Sequence, residues 1–352
     1  MSQLSVPVID LQPRQGLSDN SDKDFRASLA RSIDQALTEI GFFVVVGHGL
    51  DWSRIEATAS LCREFFDLPQ SAKDAVANEG VPFRGYVGYG GENLSYTENE
   101  ATPPDWKENF ILGRRDFNDA YFQRSEHNGT FKPNVWPASM PQLRPAMEWY
   151  SDAMEALTDR LMQGLARALD LEPLFFRDKL DHNDNTLRAT NYPHQLEPPQ
   201  PGQLRTGAHT DYGAITILKV EDAPGGLQVR TRDGQWVDAP IVAEGLVVNI
   251  GDLMMTWTND RWLSNMHRVV NPGRDEQGST RRQSMVYFVN CNPDARIECL
   301  PSCHTADNPP RHPPITAGEH RSMKLAKSVE PITTPIATPI ATTTAAPISK
   351  EP

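Results

Sequence analysis

His209-Thr210-Asp211, followed much later by His267 and then by Arg282-Gln283-Ser284, brings together the residue types in this chain best suited to chemistry. In an extended segment alternate side chains share a face, so a single strand would aim His209 and Asp211 at one centre while Thr210 points away. A second imidazole, His267, arriving from a distant strand completes two histidines and one carboxylate. That facial set suits non-haem Fe(II) and leaves positions open for substrate and oxygen. Taken alone, His-x-Asp is as ordinary in a turn or a surface pair as in a metal site. Its setting shifts the balance. Ala214-Ile215-Thr216-Ile217-Leu218 follows as the β-branched run of a buried strand, and His267 stands at the head of the β-like segment His267-Arg268-Val269-Val270.

Arg282 and Ser284 also share one face of an extended run, Arg282 to Phe288. A guanidinium offers bidentate, charge-assisted hydrogen bonds to a carboxylate, and a neighbouring hydroxyl adds one more. An isolated Arg-x-Ser is most often a surface feature. Arg281 must point to the opposite face and falls outside the site. Other candidates are weaker. His48 lies between Gly47 and Gly49 and reads as a turn histidine. Asp252 follows a glycine at a tight turn and is a poorer ligand than Asp211. Cys299, Cys303 and His304 lack a fourth partner and the two-residue zinc spacing, so Cys62, Cys291, Cys299 and Cys303 read as reduced packing residues.

These residues need a scaffold. Phe25, Leu29, Ile33, Leu37 and Ile40 predict a helix ended by Gly41, and Ile55, Ala59, Cys62 and Phe66 predict a second, stopped at Leu68-Pro69. Met147, Tyr150, Met154, Leu157, Leu161 and Leu165 spell out a long scaffold helix after Pro145. From Thr186 the pattern changes to short strands, 187–193, 214–218, 226–230 and 246–250, with Asp233-Gly234 and Gly251-Asp252 as turns. This predicts an α+β chain with a jelly-roll core, a double-stranded β-helix, flanked by helices. Residues 80–93 are glycine-rich and carry Phe83, Tyr86 and Tyr89, as a connection or a closing loop would. Trp257, Trp262 and Phe288 read as core first and pocket wall second.

The division expected is one catalytic unit over 1–328: an N-terminal region to 140, the scaffold helix within 141–180, the jelly roll over 185–298 and a covering segment over 299–328. Residues 318–327 within that segment read as a last helix. The Thr-Pro-Ile-Ala repeats of 329–352 predict a disordered or polyproline-like tail.

In 352 residues a substantial core can be buried without staples, and the net charge of −12 with no basic cluster argues against a nucleic-acid partner. No apolar run approaches the roughly 20 residues needed to span a bilayer. The start carries neither a basic segment nor an apolar signal core, so the expected compartment is the cytoplasm.

From about Val6 to Ser328 the chain resembles the 2-oxoglutarate-dependent Fe(II) dioxygenases of the isopenicillin N synthase-like group. The resemblance rests on Val6 to Leu11, Gly41 to Gly49, Phe65 to Pro69, Arg84-Gly85-Tyr86, Asp105 to Glu108 and the two motifs above, in that order. It implies Fe(II) on His209, Asp211 and His267, with 2-oxoglutarate and O2 as cosubstrates. It also implies that Arg282, Ser284 and Tyr192 hold the distal carboxylate of the keto acid. Thr190 departs from the asparagine that many relatives carry two positions before the tyrosine. The implied reaction is oxidative decarboxylation to succinate coupled to hydroxylation, desaturation or cyclisation of a small molecule, in specialised metabolism or catabolism. The alternative within the group is an oxidase needing no keto acid, whose own substrate would occupy Arg282 and Ser284. A non-catalytic binding protein would show a damaged triad, and none is seen.

Overall fold

The helical periodicities of the first half become the outer layer of the computed structural model, which describes residues 5–12, 19–77, 84–98, 100, 102–124, 130–274 and 276–329. Helix α1 (Asp19–Glu39) buries Ile33, Ala36 and Leu37. Helix α2 (Trp52–Phe66) starts where the Asp51 side chain accepts the Arg54 N–H, and it buries Ile55, Ala59, Cys62, Phe65 and Phe66. A short α3 (Gln70–Asp74) follows, and then α4 (Leu143–Ala168) with Pro145 in its first turn, where a missing N–H costs nothing. Helix α4 packs on α1 and α2 through Met147, Tyr150, Met154, Leu157, Leu161 and Leu165, all fully buried.

Twelve strands make the two main sheets. They are β1 (Val8–Asp10), β2 (Phe42–Val46), β3 (Gly85–Val87), β4 (Glu108–Leu112), β5 (Thr186–Tyr192), β6 (Thr206–His209), β7 (Ile215–Val220), β8 (Leu227–Arg230), β9 (Trp236–Asp238), β10 (Leu246–Ile250), β11 (His267–Val269) and β12 (Arg282–Val289). The large sheet runs β1-β2-β10-β7-β12-β5-β4-β3 and the small one β6-β11-β8-β9. All pairings are antiparallel except β1 with β2. A ribbon of β13 (Arg296–Ile297) and β14 (Ile315–Thr316) leads into α6 (Ala317–Val329). The α+β jelly roll expected from the sequence is the fold observed.

Strand alternation divides the large sheet's faces. Phe43, Val45, Met285 and Tyr287 pack toward the helices, while Phe42 and Val44 join Leu227, Val229 and Val247 between the sheets. On β12 the same alternation sends Gln283 outward, its amide donating to Ala59 O at 2.9 Å, and leaves Arg282 and Ser284 facing inward. Arg281 bonds Asn191 and Asp67, away from the interior, as expected.

One predicted turn is corrected. Gly251-Asp252 opens α5 (Asp252–Trp257), a helix too short to show a period in sequence; Trp257 and Trp262 are both core residues there. Asp233-Gly234 does turn the chain, with Gly234 at φ +84°. Phe83 and residues 330–352 of the tail lie outside the described residues.

Gly41 ends α1 at φ +76° and donates to Ala36 O at 3.1 Å, and a Cβ there would collide with the Leu263 carbonyl. It thereby sets the entry of β2, whose Phe42 ring meets His267 edge-on at 5.3 Å. Gly41→Ala is expected to destabilise the fold by more than about 1 kcal/mol, read as a lowered urea midpoint at unchanged slope.

Candidate active site

His209 ends β6, and His267 stands directly opposite it on β11. Asp211 is not on β6 with His209, contrary to the single-strand expectation. β6 belongs to the small sheet and β7 to the large one, so the chain must cross between them, and Asp211 lies in that crossing. The crossing is fixed by backbone bonds from Asp252 N to Asp211 O at 2.8 Å and from Gly251 N to Ala214 O at 2.9 Å.

The three side chains still converge, each less than a tenth exposed. One nitrogen or oxygen from each lies within 4.8 Å of the others. Oδ1 of Asp211 is 3.7 Å from Nε2 of His209 and 3.6 Å from Nε2 of His267, too long for hydrogen bonds. The outer atoms are all engaged. Nδ1 of His209 donates to Gly207 O at 2.8 Å and Nδ1 of His267 to Asn265 O at 3.0 Å, which leaves both Nε2 lone pairs facing inward. Oδ2 of Asp211 accepts from Thr216 at 2.6 Å and Asn249 at 2.7 Å.

Burial, reinforced by His267, pushes the His209 pKa down to about 3, so the ring is neutral and in its ligating form. Burial alone would raise the Asp211 pKa, but the two imidazoles and the bonds from Asn249 and Thr216 outweigh it and keep the carboxylate ionised. Two imidazoles and one carboxylate on one side of a common point fit a ferrous ion with open positions.

Tyr192, Arg282 and Ser284 line a cavity of about 70 Å³ that reaches the triad. Tyr192 and Arg282 are register partners on β5 and β12, and the guanidinium lies 5.5 Å from the Tyr192 ring centroid. Arg282 is 2% exposed, and among the described residues its Nε has no hydrogen-bond partner. Leu218, Leu227, Val269 and Val286 give the cavity an apolar waist. The shape suits a short chain with a carboxylate at the basic end and oxygens at the metal end. Thr190 reaches the same cavity, with its hydroxyl donated to Asn109 Oδ1 at 2.9 Å.

A second cavity of about 60 Å³ shares His209, Asp211, Arg188 and Phe288 with the first and is also walled by Glu92, Tyr212 and, from α6, Arg321 and Leu325. Sequence reasoning missed its charged wall. Glu92 accepts from Arg188 at 2.9 Å and pairs with Lys107 at 3.1 Å, and Lys107 pairs with Asp105 at 3.0 Å. Oδ1 of Asp105 then accepts the Gly207 N–H at 2.8 Å, which ties this cluster to the strand that orients His209. The sequence signals were the Asp105-Trp106-Lys107 motif, the 80–93 loop that contains Glu92 and the covering helix over 318–327 that contains Arg321; none singled out those two side chains.

Several other candidates resolve plainly. His48 is structural, bonded to Glu244 O and Leu50 N. Asp252 engages Ser264, His320 and Lys324 instead of the triad. All four cysteines are free, and none belongs to a ligand cluster among the described residues. Tyr86 and Tyr89 bond Glu108 and line neither cavity, whereas Phe288 lines both.

Comparison with known proteins identifies relatives along most of the chain. Residues 6–139 match the family described as non-haem dioxygenase in morphine synthesis N-terminal, and residues 183–290 match the 2OG-Fe(II) oxygenase superfamily. The chain is 33% identical to a validamycin A dioxygenase of Streptomyces hygroscopicus subsp. limoneus, covering 94% of this chain and 87% of that protein. It is 34% identical to a 2-oxoglutarate-Fe(II) type oxidoreductase of Emericella nidulans, covering 90% and 88%. A Neurospora crassa protein solved with alpha-KG and thymine superposes with a TM-score of 0.76 at 30% identity, covering 91% of this chain and 96% of that one.

Glu92 gives the cavity wall a pH signature. Burial opposes its charge, but Arg188 and Lys107 prevail and hold its pKa at about 2. Because the folded value lies below the unfolded one, its contribution is complete above about pH 4.5 and is lost as pH falls toward 2. Glu92→Gln, which leaves buried cations under-paired, is expected to cost about 3–5 kcal/mol at pH 7 and to flatten the acid limb of stability against pH in urea titrations.

Proposed function

The chain belongs to the 2-oxoglutarate/Fe(II) oxygenase superfamily, and from that membership we propose which of its residues carry the reaction. It is an enzyme that uses Fe(II), 2-oxoglutarate and O2 to oxidise a small molecule. When bound, the metal would activate O2 as the oxidant, with 2-oxoglutarate giving up two electrons as it loses carbon dioxide to become succinate; the protein supplies placement.

His209, Asp211 and His267 hold Fe(II) through the two Nε2 atoms and Oδ1, and the outer bonds to Gly207, Asn265, Thr216 and Asn249 fix their orientation. Arg282, Ser284 and Tyr192 hold the distal carboxylate of 2-oxoglutarate. The observation that carries this reading is the pairing of three unengaged inward ligand atoms with a buried guanidinium whose Nε lacks a partner. An ionised guanidinium so enclosed is costly without an anion, and the keto acid provides one.

The second cavity receives the substrate, a small metabolite. Validamycin A and thymine, which appear in the names of similar proteins, give the scale. Hydroxylation is the default outcome, with desaturation or cyclisation as variants, in specialised metabolism or catabolism. Residues 1–328 act as one catalytic unit in the cytoplasm, without nucleic acid or membrane, and 329–352 is dispensable. No described helix is long and apolar enough to cross a membrane.

His267→Ala is expected to abolish both ferrous-ion binding and succinate release under anaerobic loading followed by air. Arg282→Met should leave iron binding intact and raise the 2-oxoglutarate Kd by about 10- to 100-fold, the worth of a charged hydrogen bond. Equal keto-acid affinity in wild type and Arg282→Met, by calorimetry, would remove Arg282 from this role.

A further inference from the structure

The wall of the second cavity that belongs to α6 has a charge pattern that the reaction class does not explain. Arg321 and Leu325, one helical turn apart, face the cavity together. Among the described residues, the Arg321 guanidinium meets one carboxylate, Asp184, through Nη1 and Oδ2. The other Asp184 oxygen is taken by Arg84 Nη2 at 3.2 Å. One carboxylate is thus shared by two guanidiniums. Arg321 itself lines the cavity.

Burial, together with the neighbouring Arg84, pushes the Arg321 pKa down to about 10, as befits a cation short of negative charge. Glu92, which also lines the cavity, is already committed to Arg188 and Lys107. The Tyr212 hydroxyl lines the same space, is shielded from solvent and has no hydrogen-bond partner among the described residues. A guanidinium edge and an unused hydroxyl donor in one small cavity call for an acceptor of negative charge.

Resting on the function proposed above, we propose that Arg321 determines substrate specificity: the cavity beside the metal centre takes a small organic carboxylate, bound through Arg321 and the Tyr212 hydroxyl with its carbon skeleton toward His209 and Asp211. The substrate anion then bridges α6 and the jelly roll. Lys324 reinforces that placement, reaching Thr210 Oγ1 at 3.2 Å and Asp252 at 3.0 Å on the same side of the helix.

The test uses the full chain, loaded anaerobically with ferrous ion and 2-oxoglutarate so that no turnover occurs. Aliphatic and aromatic monocarboxylates, each paired with its primary amide, are titrated by calorimetry. At least one acid should bind tenfold or more tightly than its amide. Arg321→Met should weaken that acid by about 10- to 100-fold and leave its amide unchanged, so that the two converge. Arg321→Lys should keep part of the preference, and Tyr212→Phe should weaken the acid several-fold. A merely structural Arg321–Asp184 pair would lower the melting temperature of Arg321→Met while leaving the acid-to-amide ratio intact, and that result overturns the proposal. Wild type that favours amides, or binds no acid preferentially, overturns it as well. If Arg321→Met does not fold, the Lys and Phe variants decide by the same ratio. Failure of 2-oxoglutarate to bind wild type overturns the metal and cosubstrate assignment, and this proposal with it. Normal keto-acid binding without acid preference overturns this proposal alone.

Discussion

The site depends on the two oxygens of one carboxylate being used for different ends. Oδ2 of Asp211 is held by Thr216 of β7 and Asn249 of β10, while Oδ1 faces the imidazoles. An ionised carboxylate removed from water is costly unless its lone pairs are satisfied, and two short bonds to neutral donors satisfy one oxygen without competing for the other. Both donors belong to the large sheet, whereas His209 and His267 belong to the small one. The ligand set is therefore a joint between sheets, and its geometry is only as good as their relative placement.

That placement comes from the alternation of side chains along the strands. On β2, Phe43 and Val45 enter the core beneath the helices, while Phe42 and Val44 enter the smaller core between the sheets. The helices thus press the large sheet against the small one without contributing to the metal set. The polar cluster of Glu92, Arg188, Lys107 and Asp105 adds register. Buried ions are poor sources of net stability, but a fully paired set tolerates few alternative arrangements. Through Asp105 to Gly207 N–H, and Gly207 O to His209 Nδ1, it reaches the orientation of a ligand ring in two hydrogen bonds.

What the sequence disclosed follows from the range of each signal. Arg282, Gln283 and Ser284 were assigned to the correct faces because a strand's period of two is local. The triad was legible because His209 and Asp211 are close neighbours and His267 stands at the head of its own β-like run. The path of Asp211 was not legible: alternation says which face a residue takes but not which sheet the strand joins, so a crossing between sheets looks like a continuing strand. Helix α5 escaped for a related reason, since six residues are too few to show a helical period and Gly251-Asp252 is an ordinary turn dipeptide. The partners Glu92 and Arg188 are 96 residues apart, and Asp184 and Arg321 further still. Pairing over such spans exists only once the chain is folded.

The two cavities share His209 and Asp211 but otherwise draw largely on different elements. The pocket holding Tyr192, Arg282 and Ser284 is lined mostly by residues of the main strands, whose positions are fixed by ladders on both sides. The other borrows Glu92 from the segment before β4 and Arg321 and Leu325 from α6. Helix α6 is attached largely through Arg321–Asp184, Lys324–Asp252, Lys324–Glu98 and His320–Asp252, with Ala317 its one fully buried apolar side chain among those described. Charged contacts at a cover can be exchanged one residue at a time, whereas a change within the jelly roll disturbs packing in every direction. The architecture therefore lets the α6 wall of that cavity vary while the triad stays fixed, a division that would let one scaffold serve many small molecules.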